Sequence, residues 1–157
     1  MLSSGAFVGF LPTTDLARSR VFFVDLLGLA VVDESPWALV LASGATQIRV
    51  TPVASFSAQA FTVAGWSVAD IATEVRSLRA AGVPCKIYEG FGQDDLGIWT
   101  TPGGDKVAWF TDPDDNVLSL TQHALCFVRQ PEVGERVGTE LLPGRLAFLQ
   151  RCAGWLR

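Results

Sequence analysis

Two short runs carry the side chains with which this chain can hold or transform a small molecule, TQIRVTP (46–52) and NVLSLTQH (116–123). Side chains in a strand alternate between faces. Ile48 and Val50 form an apolar pair suited to packing under a helix, which leaves Gln47, Arg49 and Thr51 on the opposite face. Leu118 and Leu120 repeat that pair and leave Ser119, Thr121 and His123 opposite. A guanidinium pairs bidentately with carboxylate or phosphate. Arg49 is therefore an anion anchor, or else it lies at a dimer edge or neutralises a nearby acid. Ser119 has no base beside it in sequence, so a small polar wall group is a better reading than a nucleophile. His123 is the chain's one histidine. It shares the parity of Ser119 and reads as a surface or structural group, or as a weak candidate for a catalytic base.

Aromatic residues surround these runs. Parity puts Phe10 with Val8, and Phe61 with Val63, on the face of the polar set, and puts Trp66 on the other face, in the core. Trp109 and Phe110 are neighbours, so at least one points inward, and spacing alone does not say which. With Trp37 and Trp99, these rings suit a flat or apolar ligand held by a few polar contacts, or they simply fill a core. The loop YEGFGQDDLGIW (88–99) has three glycines and two adjacent acids. It reads either as a cover that brings Tyr88, Gln93 and Trp99 to a ligand or as an ordinary surface loop. Carboxylate-only metal binding by Asp94, Asp95 or the DPDDN turn (112–116) is open to the sequence, but a solvated loop and a tight strand connection are the simpler reading.

The elements that position these groups come as a repeat. FVGFLPTTDLARSRVFFVDLLG (7–28) and TVAGWSVADIATEVRSLRAAG (62–82) each run from an alternating strand to a helix start to a glycine stop. A shift of 55 positions superposes Val8 on Val63, Asp15 on Asp70 and Leu16 on Ile71. Asp70 is the expected N-cap of the second helix, with Gly82 as its stop; Thr14 or Asp15 caps the first, with Gly28 as its stop. Leu16, Phe23 and Leu27 are the buried candidates of the first helix. Strand-like runs follow at 29–34, 37–43 and 46–53 in the first half, and at 84–90, 97–102, 106–112 and 116–122 in the second. ASFSAQ (54–59) is a natural joint. The expectation is two βαβββ units, with an extra loop and strand in the second.

DLARSRVFFVDLLGL (15–29) resembles the first-helix signature of the glyoxalase/bleomycin-resistance/dioxygenase superfamily, also called vicinal oxygen chelate proteins. GWSVADIATEVRSLRAAGV (65–83) and VAWFTDPDDNVLSLTQ (107–122) resemble the matching second-half segments, and the likeness covers about residues 6–123. It implies an α+β fold in which two βαβββ modules (about 6–53 and 60–123) form curled sheets around a cup, commonly as a dimer. In metal-using relatives the ligands come from the first and last strand of each module. Here those places read Val8, Arg49, Val63 and Ser119. Two valines and an arginine offer no imidazole, carboxylate or thiolate, and the fixed positive charge repels a cation. No metal and no cofactor are expected. Glyoxalase-type isomerisation and extradiol cleavage, which depend on a metal, are disfavoured.

Bulk properties narrow the classes further. The chain has 157 residues, 49% of them hydrophobic, and a net charge of −4. That is enough for one domain with a real core, and it argues against non-specific nucleic-acid binding. No apolar run reaches membrane-spanning length, and the N-terminus lacks a basic signal-peptide start. Cys85, Cys126 and Cys152 form no C-x-x-C pair and read as reduced, mostly buried thiols in a cytoplasmic protein. Residues 124–157 form an extension in which Leu142, Leu146, Leu149, Ala153 and Leu156 recur at helical spacing, a helix from about 141.

Three functions are compatible with these residues. The first is a metal-free small-molecule binder of the bleomycin-resistance type, a homodimer holding an aromatic or anionic compound against Val8, Phe10, Gln47, Arg49, Thr51, Phe61, Val63, Trp99, Trp109, Ser119 and Thr121. The second is a metal-independent lyase or isomerase using the same cavity. The third is a dimeric interaction module acting through its C-terminal helix.

Overall fold

The structure is a computed structural model and describes residues 6–124. The expected helix from about 141, Cys126 and Cys152 lie outside the described residues.

The first module is β1 (Val8–Thr13), α1 (Leu16–Arg20) running into a π-helical turn (Val21–Leu26), β2 (Ala30–Ser35), β3 (Ala38–Ser43) and β4 (Thr46–Pro52). The second is β5 (Thr62–Ser67), α2 (Ile71–Ala80), β6 (Ile98–Thr100), β7 (Lys106–Thr111) and β8 (Val117–Gln122). Each forms a four-stranded sheet with matching order, β1-β4-β3-β2 and β5-β8-β7-β6. In both, the first and last strands pair in parallel and the remaining pairs are antiparallel. This is the two-module α+β architecture the repeat implies, with sheets that do not close.

Both helices start on an aspartate. Asp15 accepts from the Arg18 N–H at 3.1 Å. Asp70 accepts from the N–H groups of Ala72 at 3.1 Å and Thr73 at 3.2 Å. The hydroxyl of Thr73 also reaches Asp70, and these Thr73 bonds, first among the causes, hold its carboxyl below the usual range. At the other end of α2 the Val83 N–H bonds the Leu78 carbonyl at 2.8 Å and the Gly82 N–H bonds Arg79 at 3.0 Å. This paired closure needs a left-handed residue, and Gly82 has φ 83°.

The first helix is less regular than its periodicity suggests. The Leu27 N–H reaches back five residues to Phe22, at 3.0 Å. That wider turn lets two consecutive rings, Phe22 and Phe23, both enter the core, where they pack edge to face at 5.0 Å. Phe23 is fully buried, whereas Leu16 and Leu27 pack only at its margin. Leu11, Leu39, Leu41, Ile48 and Val50 complete this side of the core, and Ile71, Val75, Leu78, Ile98, Ala108, Phe110, Leu118 and Leu120 form the other. Full burial of each large side chain stabilises by about 1.5–3 kcal/mol.

The expected strand at 84–90 does not form. Only Lys86 makes a single bridge, to Trp109. Pro84 has no N–H to give, and the side chain of Gln93 takes the place of a neighbouring strand. Its carbonyl accepts from the Tyr88 N–H at 2.7 Å, and its amide donates to Lys86 at 3.0 Å and Gly97 at 2.7 Å.

The modules are tied together at the DPDDN turn. Asp112 accepts from the N–H groups of Asp114 and Asn116, both at 2.9 Å, and from the Asn116 side chain at 2.8 Å. This closes the tight connection, in which Asp115 takes φ 65°. Asp114 then reaches the β1–α1 corner. Its oxygens accept from Thr13 Oγ1 at 2.6 Å, Thr14 Oγ1 at 2.5 Å, the Thr14 N–H at 3.1 Å and Arg18 Nη2 at 2.8 Å. Buried Ser19 donates to buried Thr13 at 2.7 Å, extending the chain of hydroxyls inward. Asn116 donates to the Pro12 carbonyl at 3.0 Å, and Trp66 Nε1 donates to Ser43 at 2.8 Å.

Candidate functional site

Strand register assigns the faces directly, because residues opposite one another in a ladder project to the same side. On the second sheet, Trp109 pairs with Ser119 and Val107 with both Thr121 and Trp99. Trp99, Val107, Trp109, Ser119 and Thr121 therefore share the face away from α2. Ile98, Ala108, Phe110, Leu118 and Leu120 point the other way, into the core. The neighbours Trp109 and Phe110 are thus divided. Phe110 is buried and stacks on Trp66 at 6.3 Å, while Trp109 stands on the open face. Trp66 lies on the helix side, as parity predicts.

The open face of the second sheet is aromatic. Trp99 and Trp109 stack at 6.0 Å with 26° between planes. Phe91 packs edge to face against both, at 5.2 Å and 5.7 Å, and Tyr88 packs edge to face against Trp109 at 5.3 Å. Lys86 Nζ lies 5.6 Å from the Tyr88 ring. Trp109 Nε1 donates to Thr62 Oγ1 at 3.1 Å, which satisfies its one polar atom. The loop at 88–99 thus places two further rings over the strand tryptophans. Gln93, a candidate ligand contact by sequence, spends its amide on the loop's own backbone instead. Asp94 does the same, accepting from the N–H groups of Leu96 and Ile98 at 2.9 Å each.

Gly65 was not legible as a site residue. It sits opposite Ser119, because a bulge between Thr62 and Ala64 shifts the register of β5. A Cβ placed on Gly65 collides with Ser119 Oγ and comes within 3.1 Å of the Ser119 carbonyl oxygen. The 55-residue repeat contains the signal, since it superposes Gly65 on Phe10, and Phe10 occupies the matching place opposite Arg49. Val63 falls within the bulge, and Phe61, just before it, is 64% exposed.

The first sheet presents a different face. Phe10 and Val40 flank Arg49, and Val8 lies opposite Gln47. Phe10 is 67% exposed. Among the described residues Arg49 enters no ion pair, so no acid there neutralises it. Thr51 Oγ1, on the same face, is buried without a hydrogen-bond partner. No described hydrogen bond or ring contact joins this face to the aromatic one.

His123 follows β8 and is exposed, with Nδ1 3.6 Å from Asp105 Oδ2. Four residues of strand separate it from Ser119, about 13 Å. The two side chains do not form a nucleophile–base pair. A separate apolar cavity of about 400 Å³ opens on the helix side, lined by Leu27, Leu29, Trp66, Leu78, Phe110 and Glu74 among others. It lies behind the second sheet rather than on the tryptophan face.

The four places that hold metal ligands in metal-using relatives offer one hydroxyl, on Ser119, and a fixed cation, on Arg49. That donor set does not fit a divalent metal. Among the described residues no three His, Cys, Asp or Glu side chains gather as a metal-binding group. Asp112 and Asp114 are committed to the turn and the module junction.

A family model for the Glyoxalase/Bleomycin resistance protein/Dioxygenase superfamily matches residues 6–120. The chain belongs to this superfamily. Its fold is similar to that of a bleomycin resistance determinant encoded on the transposon Tn5, with a TM-score of 0.62 and 19% identity over 78% of this chain and 100% of that one. It is also similar to the fosfomycin resistance protein FosX from Listeria monocytogenes, with a TM-score of 0.61 and 14% identity over 78% and 95% of the two chains. A lactoylglutathione lyase from Agrobacterium tumefaciens gives a TM-score of 0.60 and 17% identity over 76% and 93%. Among curated proteins none matches significantly. At these identities the structures establish the fold and leave the chemistry to the superfamily member's own residues.

Proposed function

We propose that this superfamily member is a metal-free small-molecule binding protein that sequesters an aromatic or anionic compound on its open sheet faces. The observation that carries the reading is the half-buried ring pair of Trp99 and Trp109 on the open sheet face, beside Thr121 and the buried Ser119, built on strands β6, β7 and β8. Arg49, free of an acid partner among the described residues, supplies an anion anchor on the other sheet, with Gln47 and Thr51 beside it. The similarity in fold to a bleomycin resistance determinant supports a role in handling a small molecule.

Arg49 and the tryptophans sit on separate sheets, so a ligand that uses both needs the faces brought together. A homodimer does this, and the exposed rings of Phe10 on β1 and of Phe7 and Phe61 just before β1 and β5 are its natural contacts. The free thiol of Cys85 suits a cytoplasmic setting. No described helix is long and apolar enough to cross a membrane.

A thermal-shift screen tests the reading, with aromatic carboxylates, glycopeptide antibiotics, divalent metals and a chelator in separate wells. An aromatic anion raises Tm, Arg49→Ala removes most of that rise, and chelator leaves Tm unchanged. Loss of about 1.5–3 kcal/mol of binding is expected for one charged hydrogen-bonding group. Stabilisation by a divalent metal alone, reversed by chelator, would sink the proposal.

A further inference from the structure

Phe91 occupies the surface that a ligand ring needs. It lies edge to face against both Trp99 and Trp109, at 5.2 Å and 5.7 Å, yet it is 42% exposed. Its own segment holds it through one ring contact, with Tyr88 at 5.7 Å. Gly90 and Gly92 flank it, with φ 85° and 64°, and the one backbone hydrogen bond described for the tip runs from the Phe91 N–H to Tyr88 at 3.3 Å.

The base of the loop is fastened on both sides. The Lys86 N–H donates to the Trp109 carbonyl at 2.6 Å, and Gln93 bonds Lys86, Tyr88 and Gly97. Asp94 fixes the return through Leu96 and Ile98. Gly97 is closed in as well, because an added Cβ meets Cys85 Cβ at 2.7 Å. The outcome is a fastened frame around a short tip, Glu89–Gly92, that can turn about two glycines without breaking strand pairing, giving up the Phe91 contacts with the two tryptophans and with Tyr88.

We infer that Phe91 is a displaceable internal stand-in for the ligand, and that the Trp99–Trp109 surface is a site for a planar aromatic ring which Phe91 vacates on binding. The inference rests on the binding reading above and narrows it to a ring class. Edge-to-face ring pairs stabilise beyond area burial alone. An incoming ring replaces these contacts while Phe91 moves to solvent, so the stand-in lowers apparent affinity.

The test is a titration of full-length protein with 2-naphthoate, followed by tryptophan quenching and by thermal shift. Wild type, Phe91→Ala, Phe91→Leu and Arg49→Ala are compared. Phe91→Ala is expected to bind about five- to tenfold tighter than wild type. Phe91→Leu, a smaller cover that keeps the loop apolar, is expected to fall between them, which guards against misfolding of the alanine variant. Equal or weaker binding by both variants overturns the stand-in role while wild-type binding keeps the broader reading. Binding by neither wild type nor variants overturns the ring site. The broader reading then stands or falls on the ligand screen and the Arg49→Ala comparison.

Discussion

Ser119 and Gly65 illustrate how one residue's chemistry depends on its neighbour's size. Ser119 is buried, 8% exposed, with its hydroxyl beside Gly65, because position 65 has no side chain to displace it. Gly65→Ala is expected to cost about 1–3 kcal/mol through overpacking against a backbone carbonyl and a hydroxyl together. Urea unfolding measures it, and Gly65→Ala combined with Ser119→Gly should recover part of the loss. If the single variant is as stable as wild type, the register of β5 described above is wrong. Sequence alternation gave the facing of Arg49, Ser119 and Trp66, because their strands are regular there. It did not give Gly65, because a bulge breaks the alternation and leaves no mark in the local composition. Nor did it separate Trp109 from Phe110, which depends on the pairing of β7 with β8.

At the scale of elements, the DPDDN turn is the tight strand connection the sequence suggests and also a fastening between the modules. Burial works against the Asp114 carboxylate, but hydrogen bonds from Thr13 and Thr14 and the Arg18 guanidinium outweigh it and hold its pKa below the usual carboxylate range. Its side chain is 3% exposed. A lowered folded-state pKa means that this contribution is complete above the unfolded value, near 3.8, and is lost as pH falls through the folded value. Asp112 behaves oppositely. Burial pushes its carboxyl up despite hydrogen bonds from Asn116, so acidification favours the folded state there. Asp114→Asn is therefore expected to lose about 1–3 kcal/mol at pH 7 through its charged hydrogen bonds and to show a flatter or reversed acid limb. Urea midpoints at pH 7 and pH 3 check this; parallel acid limbs in the two proteins would exclude Asp114 as the source. The strand and helix pattern was readable from periodicity and caps. The π-helical turn and the missing strand at 84–90 were not, since the first accompanies the burial of two consecutive rings, Phe22 and Phe23, and the second depends on a side chain, Gln93, that engages backbone four to seven residues away.

At the scale of the whole molecule, the two-module architecture was the most legible feature, because the repeat writes it twice. The relation between the two open faces was the least legible, because an interface leaves only exposed rings as its trace. A homodimer predicts sedimentation at twice the 16.9 kDa chain mass in the micromolar range, and Phe10→Glu should shift it to monomer. A wild-type chain that stays monomeric at every concentration tested would remove the dimer from the proposal. The fastening at Asp114 also sets an order of events during synthesis. Thr13 and its partner lie 101 positions apart. At about 5–20 residues per second, the ribosome delivers that partner roughly 5–20 s after the corner that awaits it. In that interval the nascent first half has the hydroxyls of Thr13 and Thr14 without their anion. Its dependence on chaperones should be concentrated there, before the second half emerges.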